Sequence, residues 1–291
     1  MTPKNFPIIK LIFLIFILIF SDTAVMADEE LTMGVFPRRN STVTIKMFRP
    51  FANFIAKETG IKIRLETAKN FSTFWKNVKA GRYDIAHFNQ LHYLLSKDTV
   101  GYQVFAKNEE FGKSKVSPAI VVRKDSGIKS LNDLKGKTII FGGGKLAMIA
   151  HVGNKVILYD AGIQPDTYKS IMAKNPPNAT LAVYYKRADA AGIGDVGLSV
   201  PAIKKKMNTD EMFFLATGVP QPHLPWVFKK SLKLETKNKI RSAITKLNST
   251  VAGKNILNKA AMTALLPATD AEYKISQTEY DRFKKYNRSQ K

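Results

Sequence analysis

From Leu31 onward, short apolar runs alternate with stretches of helical periodicity, several of which close on glycine. That alternation constrains the fold more than any other property of the chain, because strands separated by helical crossovers build α/β sheets. Residues 31–36 (LTMGVF) read as a strand. Ile45, Phe48, Phe51, Ala52 and Ile55 then recur at helical spacing before Gly60, and Pro50 is expected to start or bend that helix. Strands follow at 61–67, 84–88, 102–106 and 119–123, with helices at 70–80 and 90–96. A second block repeats the style. Ser130 caps a short helix, 138–141 is a strand, and Gly142-Gly143-Gly144 leads into a helix over 146–161. Asn178 is expected to cap a helix through Tyr185, before a strand at 190–193 and a helix near 196–202. Strands at 212–216 and 224–228 follow, and from Thr236 the chain reads as helices only. These units are too many for one small sheet, so the expectation is two α/β lobes with mostly parallel sheets.

In such sheets a ligand sits beyond the carboxyl ends of the strands. The loops there are rich in groups that bind anions. Arg38, Arg39 and Asn40 follow the first strand, Asn89 and Gln90 follow the third, and Gly143-Gly144-Lys145 opens a helix after Phe141. Glycine turns let backbone N–H groups converge on an oxyanion, a helix N-terminus adds partial positive charge, and a nearby cation completes the site. The spacing is neither a Walker P-loop nor a dinucleotide fingerprint. Phe71 opens its helix and can face a cleft, whereas Phe74 and Trp75 read as core. Asp195 can accept a proton from a ligand hydroxyl or cap a helix.

Other functions are excluded or disfavoured by composition. The chain has no cysteine, which removes disulfides, thiolate metal sites and cysteine nucleophiles. Its four histidines show no metal-ligand spacing, and no nucleophile elbow occurs, so neither an enzyme nor a cofactor is expected. The net charge of +23 is spread thinly, Lys204-Lys205-Lys206 being the densest run. With no nucleic-acid motif, this reads as a solvated basic surface with a general attraction for anions. Residues 1–27 have the order of a secretory signal peptide: Lys4 and Lys10, an apolar run LIFLIFILIF at 11–20, then Val25 and Ala27 at cleavage positions. Ten residues span roughly 15 Å as a helix, half of a hydrocarbon core. Cleavage and export are expected, and the missing disulfides point to a bacterial periplasm.

Several segments carry a resemblance: GVFPRR (34–39), YDIAHFNQ (83–90), NEEFGK (108–113), SLNDLKGKTIIFGGGK (130–145), NPPNATLAVYY (175–185) and ADAAGIGD (188–195). The chain resembles the phosphate, phosphite and phosphonate substrate-binding proteins of ABC transporters, which have the type II periplasmic binding protein fold. The resemblance implies two lobes joined by two crossing strands near 118–123 and 223–228. Lobe one would comprise 28–120 plus 226–291, and lobe two 121–225. It implies ligand contacts from Phe71, His87 and Phe88, and from the turn Gly143, Gly144, Lys145, Ala147 and Met148. The family has a hydroxyl-bearing Ser-Thr-Ser type run in that turn. This chain has none there, which leaves backbone amides and Lys145.

The expected function is therefore a monomeric, non-enzymatic periplasmic protein. It captures a small oxyanion of the phosphonate, phosphite or phosphate class by lobe closure and docks on a membrane permease. The alternative is a sensing subunit that presents the bound anion to a histidine kinase.

Overall fold

The computed structural model describes residues 30–288. The expected signal peptide lies outside the described residues.

The chain first builds β1 (Glu30–Val35), α1 (Ser41–Thr59), β2 (Lys62–Glu66), α2 (Phe71–Lys79), β3 (Ile85–His87), α3 (Gln90–Ser96) and β4 (Tyr102–Glu109). After a short β5 (Lys115–Val116) come β6 (Pro118–Arg123), β7 (Thr138–Gly142) and a π-helical turn at Met148–Gly153 that runs into α4 (Asn154–Asp160). Then follow β8 (Lys169–Ala173), α5 (Pro176–Tyr184), β9 (Ala190–Gly194), α6 (Pro201–Lys204) and β10 (Met212–Thr217). The chain returns through β11 (Gln221–Pro222) to β12 (Pro225–Lys229), α7 (Leu234–Ser249), α8 (Val251–Lys259), β13 (Ala264–Pro267) and α9 (Lys274–Arg288).

These strands form two principal sheets, ordered β13-β4-β12-β3-β1-β2 and β10-β6-β9-β7-β8. The parallel pairings are confined to β2-β1-β3 and β9-β7-β8. The other pairings are antiparallel, so the expectation of mostly parallel sheets is corrected. The physical reason is the path of the chain. The strand by which the chain enters each sheet from the other, β12 in the first and β6 in the second, runs against the parallel core, and β4 and β10 pair antiparallel with these reversed strands. The crossings themselves are β5 and β11, a two-stranded antiparallel ribbon in which Gln221 pairs with Val116. They lie just before the two strands expected to cross. β6 belongs wholly to the second sheet and β12 to the first.

Local chemistry explains most helix starts. Asn40, Asn70, Asn89 and Asn175 each accept a backbone N–H from the first turn of the following helix. Asn175, not Asn178, caps α5, because Pro176 and Pro177 suit the first helical positions, where no N–H is needed. α1 runs unbroken from Ser41 with Pro50 inside it. The expected helix near 196–202 is divided into a 3-10 turn at Gly197–Ser199 and α6, with Pro201 opening the latter. β13 lies in the region expected to be all helical and adds an edge strand to the first sheet.

Each sheet is covered on both faces. In the first lobe one core packs Phe51, Ile55 and Trp226 against Ile240 and Leu247 of α7. The other core holds Phe74, Tyr83 and Phe88, and it extends across to Ala147 and Ala150 of the second lobe. A separate apolar cluster joins Leu91 of α3 to Met148 and Val152, with Tyr280 and Phe283 of α9 packed against it. The two lobes are therefore in contact, and the π-helical turn is where they meet.

Two glycines set the placement of that turn. A Cβ on Gly153 would lie 2.2 Å from Pro118 Cγ, and one on Gly192 would lie 2.5 Å from Phe141 Cδ1 and 2.7 Å from the Ala150 carbonyl oxygen. The Gly192→Ala variant is expected to lose about 1–3 kcal/mol of stability through overpacking. Urea unfolding measures this, and an unchanged midpoint would contradict the tight seating of the turn on β9.

Candidate functional site

The turn after β1 places two arginines in different electrostatic situations. Arg38 forms a two-pronged ion pair with Glu110, Nη1 to Oε1 and Nη2 to Oε2, the latter at 2.9 Å. Glu110 is buried and also accepts from Asn108 Nδ2 at 3.0 Å, while Asn108 Oδ1 accepts from Trp226 Nε1 at 2.9 Å. Burial alone would raise the Glu110 pKa, but the charges and hydrogen bonds around it, with Arg38 foremost, together outweigh it and hold the carboxyl well below its usual range. Arg39 has no hydrogen bond or ion pair among the described residues. Burial and the neighbouring Arg38 bring its pKa down to about 10, so it is still cationic at neutral pH. One carboxylate thus faces two guanidinium groups, which leaves one positive charge uncompensated.

That charge lines a cavity of about 90 Å³ between the two sheets. The first lobe contributes Phe36, Arg38, Arg39, Phe71, Asn89 and Gln90. The second contributes the turn from Ala147 to Ala150, Pro176 and Pro177 at the start of α5, and the segment around Val196 and Val200. Val116, His223 and Leu224, at the crossings, complete the lining. The N–H groups of Met148, Ile149 and Ala150 belong to the first turn of their helix and so have no intrahelical partner.

The polar groups differ in how far they are engaged. Asn89 is used twice, its Oδ1 accepting from Leu91 N and its Nδ2 donating to His92 Nδ1. Gln90 Nε2 donates to the Pro222 carbonyl at 2.9 Å, while its Oε1 is buried without a partner. His223 Nδ1 accepts from Leu224 N, so the neutral ring carries its proton on Nε2. That nitrogen has no hydrogen-bond partner and lies 3.7 Å from Glu110 Oε2.

Of the residues expected at a site, Arg38, Arg39, Phe71, Asn89, Gln90, Ala147 and Met148 line this cavity. His87 and Phe88 lie behind its wall. His87 stacks on Trp226 with ring centroids 4.7 Å apart, and Phe88 is fully buried. Gly143 and Gly144 do not line the cavity. Both have positive φ, the Gly143 N–H is taken by the Ala173 carbonyl, and a Cβ there would lie 3.0 Å from Phe71 Cζ. Their role is to let the turn pass close beneath Phe71. Lys145 is exposed and lines a separate groove with His151 and Phe283. Asp195 turns away from the cavity to the Ser117 N–H at 3.1 Å and to Lys113 at 3.5 Å. Glu110 and His223 were not anticipated. Glu110 lies in the NEEFGK segment without a role expected for it, His223 sits in no motif, and each reaches the site only because the crossings bring 110 and 223 beside the β1–α1 turn.

Comparison with known proteins then identifies the relationship. Residues 33–273 match the family described as the periplasmic phosphonate substrate-binding protein of ABC transporters. The chain belongs to this family of periplasmic phosphonate-binding components. Among family relatives, the phosphonates-binding periplasmic protein of Escherichia coli K12 is 24% identical over 251 residues, covering 84% of this chain and 74% of that protein. A binding protein component of a Pseudomonas aeruginosa ABC phosphonate transporter superposes with a TM-score of 0.79 at 17% identity, covering 89% of this chain and 88% of that one. A Prochlorococcus marinus protein in complex with methylphosphonate gives 0.79 at 16% identity, covering 89% and 99%. These structures share the two-lobed type II periplasmic binding protein fold with the present chain.

The buried histidines make stability depend on pH. Burial lowers His87 and His92 to about 3, so in the folded protein both are neutral at neutral and mildly acidic pH. The unfolded chain takes up these protons below about pH 6.5, and the folded chain does not until about pH 3, so acidification favours unfolding. Stability is complete above about pH 6.5 and is expected to fall by roughly 2 kcal/mol per histidine at pH 5. Urea unfolding at pH 7 and pH 5 tests this, and equal stabilities would contradict neutral burial of both rings.

Proposed function

We propose that this chain is a non-enzymatic solute-binding protein that captures a phosphorus oxyanion, of the phosphonate, phosphite or phosphate class, in the interlobe cavity. The observation that carries this reading is the uncompensated Arg39 charge inside a cavity lined by both lobes. An oxyanion there neutralises the charge left over from the Arg38–Glu110 pair. It also meets the free N–H groups of the Met148–Gly153 turn, where the helix end favours negative charge. Low local dielectric strengthens both contacts once the lobes exclude water. Arg38 acts as the anchor of the turn, and Phe36 and Phe71 form the apolar wall.

The protein exists as a monomer, exported by cleavage after residue 27, with lobes dividing at β5 and β11. The closed form docks on a membrane permease. Family membership favours this role over presentation of the ligand to a sensor kinase. Of the expected residues, Gly143, Gly144, His87 and Phe88 support the shape of the site, and neither they nor Lys145 and Asp195 touch the ligand.

Calorimetric titration with methylphosphonate, phosphite and phosphate tests the reading. At least one is expected to bind with a micromolar or lower Kd. Arg39→Gln is expected to weaken that binding about 10- to 100-fold, the loss of a charge-assisted contact. Lys145→Ala is expected to change it less than about threefold. Absence of binding by all three at millimolar concentration, or full affinity in Arg39→Gln, would contradict the assignment.

A further inference from the structure

The cavity also says what can be attached to the oxyanion. Resting on the reading above, the geometry points to an uncharged alkyl substituent: the site takes alkylphosphonates and rejects zwitterionic aminoalkyl analogues.

The second lobe's wall is almost wholly apolar. Ile149, Pro176, Pro177, Val196 and Val200 form it together with Val116 from the crossing. The one hydroxyl there, Thr180 Oγ1, is committed to the Pro176 carbonyl at 3.2 Å. No aspartate or glutamate lines the cavity among the described residues. Two carboxylates adjoin its lining residues, and both are occupied elsewhere. Glu110 is locked in its pair with Arg38, and Asp195, between the lining residues Gly194 and Val196, is held by the Ser117 N–H and Lys113.

An ammonium group needs a carboxylate or several acceptors to leave water. Here it would meet valine and proline side chains, in a cavity whose formal charges are Arg38 and Arg39. The Phe36 and Phe71 faces could offer a cation–π contact, but such a contact replaces a hydration shell only in part. A methyl or methylene group meets no such penalty and gains about fourfold in affinity for each carbon fully buried.

Propylphosphonate and 2-aminoethylphosphonate form a matched pair, alike in shape and differing in a terminal methyl against an ammonium. Competition calorimetry on the wild-type protein, with methylphosphonate as the reference, reads the difference directly. Propylphosphonate is expected to bind at least about 30-fold more tightly than 2-aminoethylphosphonate. Equal or tighter binding of 2-aminoethylphosphonate would overturn the inference and leave the oxyanion reading intact. Binding of methylphosphonate with equal rejection of both longer ligands would also overturn it, since the apolar wall would then receive no substituent. Failure of all three while phosphite or phosphate still binds would overturn the inference as well, whereas failure of phosphite and phosphate too would instead remove the oxyanion reading on which it rests.

Discussion

The ion pair between half-buried Arg38 and buried Glu110 is the interaction on which the site depends. A buried ion pair is a poor source of net stability, because desolvating both charges offsets most of their attraction. Its value here lies in position. Arg38 belongs to the turn after β1, and Glu110 lies just past β4, where the chain leaves the first lobe. Through Asn108 the carboxylate is tied to Trp226 of β12, which stacks on His87 of β3. Four neighbouring strands of one sheet are thus locked at the edge that faces the other lobe. The same carboxylate sets the charge of the cavity: it balances Arg38 and leaves Arg39 to be balanced by something else.

The second lobe answers with backbone and apolar surface. Its hydroxyl-free turn gives up the side-chain donors implied by the family resemblance. It keeps the N–H groups at the head of the helix and brings them close by means of glycines that admit Phe71, Phe141 and Pro118. The lobes are held together beyond the cavity by α9. Its Phe283 packs on His151, Asn287 accepts from Tyr159, and Arg282 pairs with Asp160. Since α9 also touches α3 of the first lobe, any opening of the cleft must rearrange this C-terminal helix or slide the second lobe along it.

The sequence made the general architecture readable because each strand and helix carries its own periodicity. LTMGVF, IKIRLET and the Phe48–Ile55 face needed no partner to be recognised. β8 was unreadable for the opposite reason. KSIMA is an edge strand exposed at Lys169, Ser170 and Met172, so it lacks the apolar alternation that burial imposes. β13 is a four-residue strand that exists only as a partner of β4. The first-lobe lining of the cavity was legible, since Arg38, Arg39, Asn89 and Gln90 follow strand ends and Phe71 opens a helix. The second-lobe lining was less legible. A glycine run followed by lysine looks like an anion cradle, but positive φ at Gly143 and Gly144 carries the chain past the cavity before Ala147, leaving Lys145 in solvent. Glu110 and His223 belong to the tertiary structure alone, since only the paired crossings bring them together.

The most direct test of this account is a crystal structure of the protein with methylphosphonate. The head group is predicted between the Arg39 guanidinium and the first-turn N–H groups of the Met148–Gly153 helix, with its methyl toward Val196 and Val200. A head group bound instead at Lys145, in the groove beside His151 and Phe283, would contradict the account. It would restore the glycine–lysine turn as the anion site.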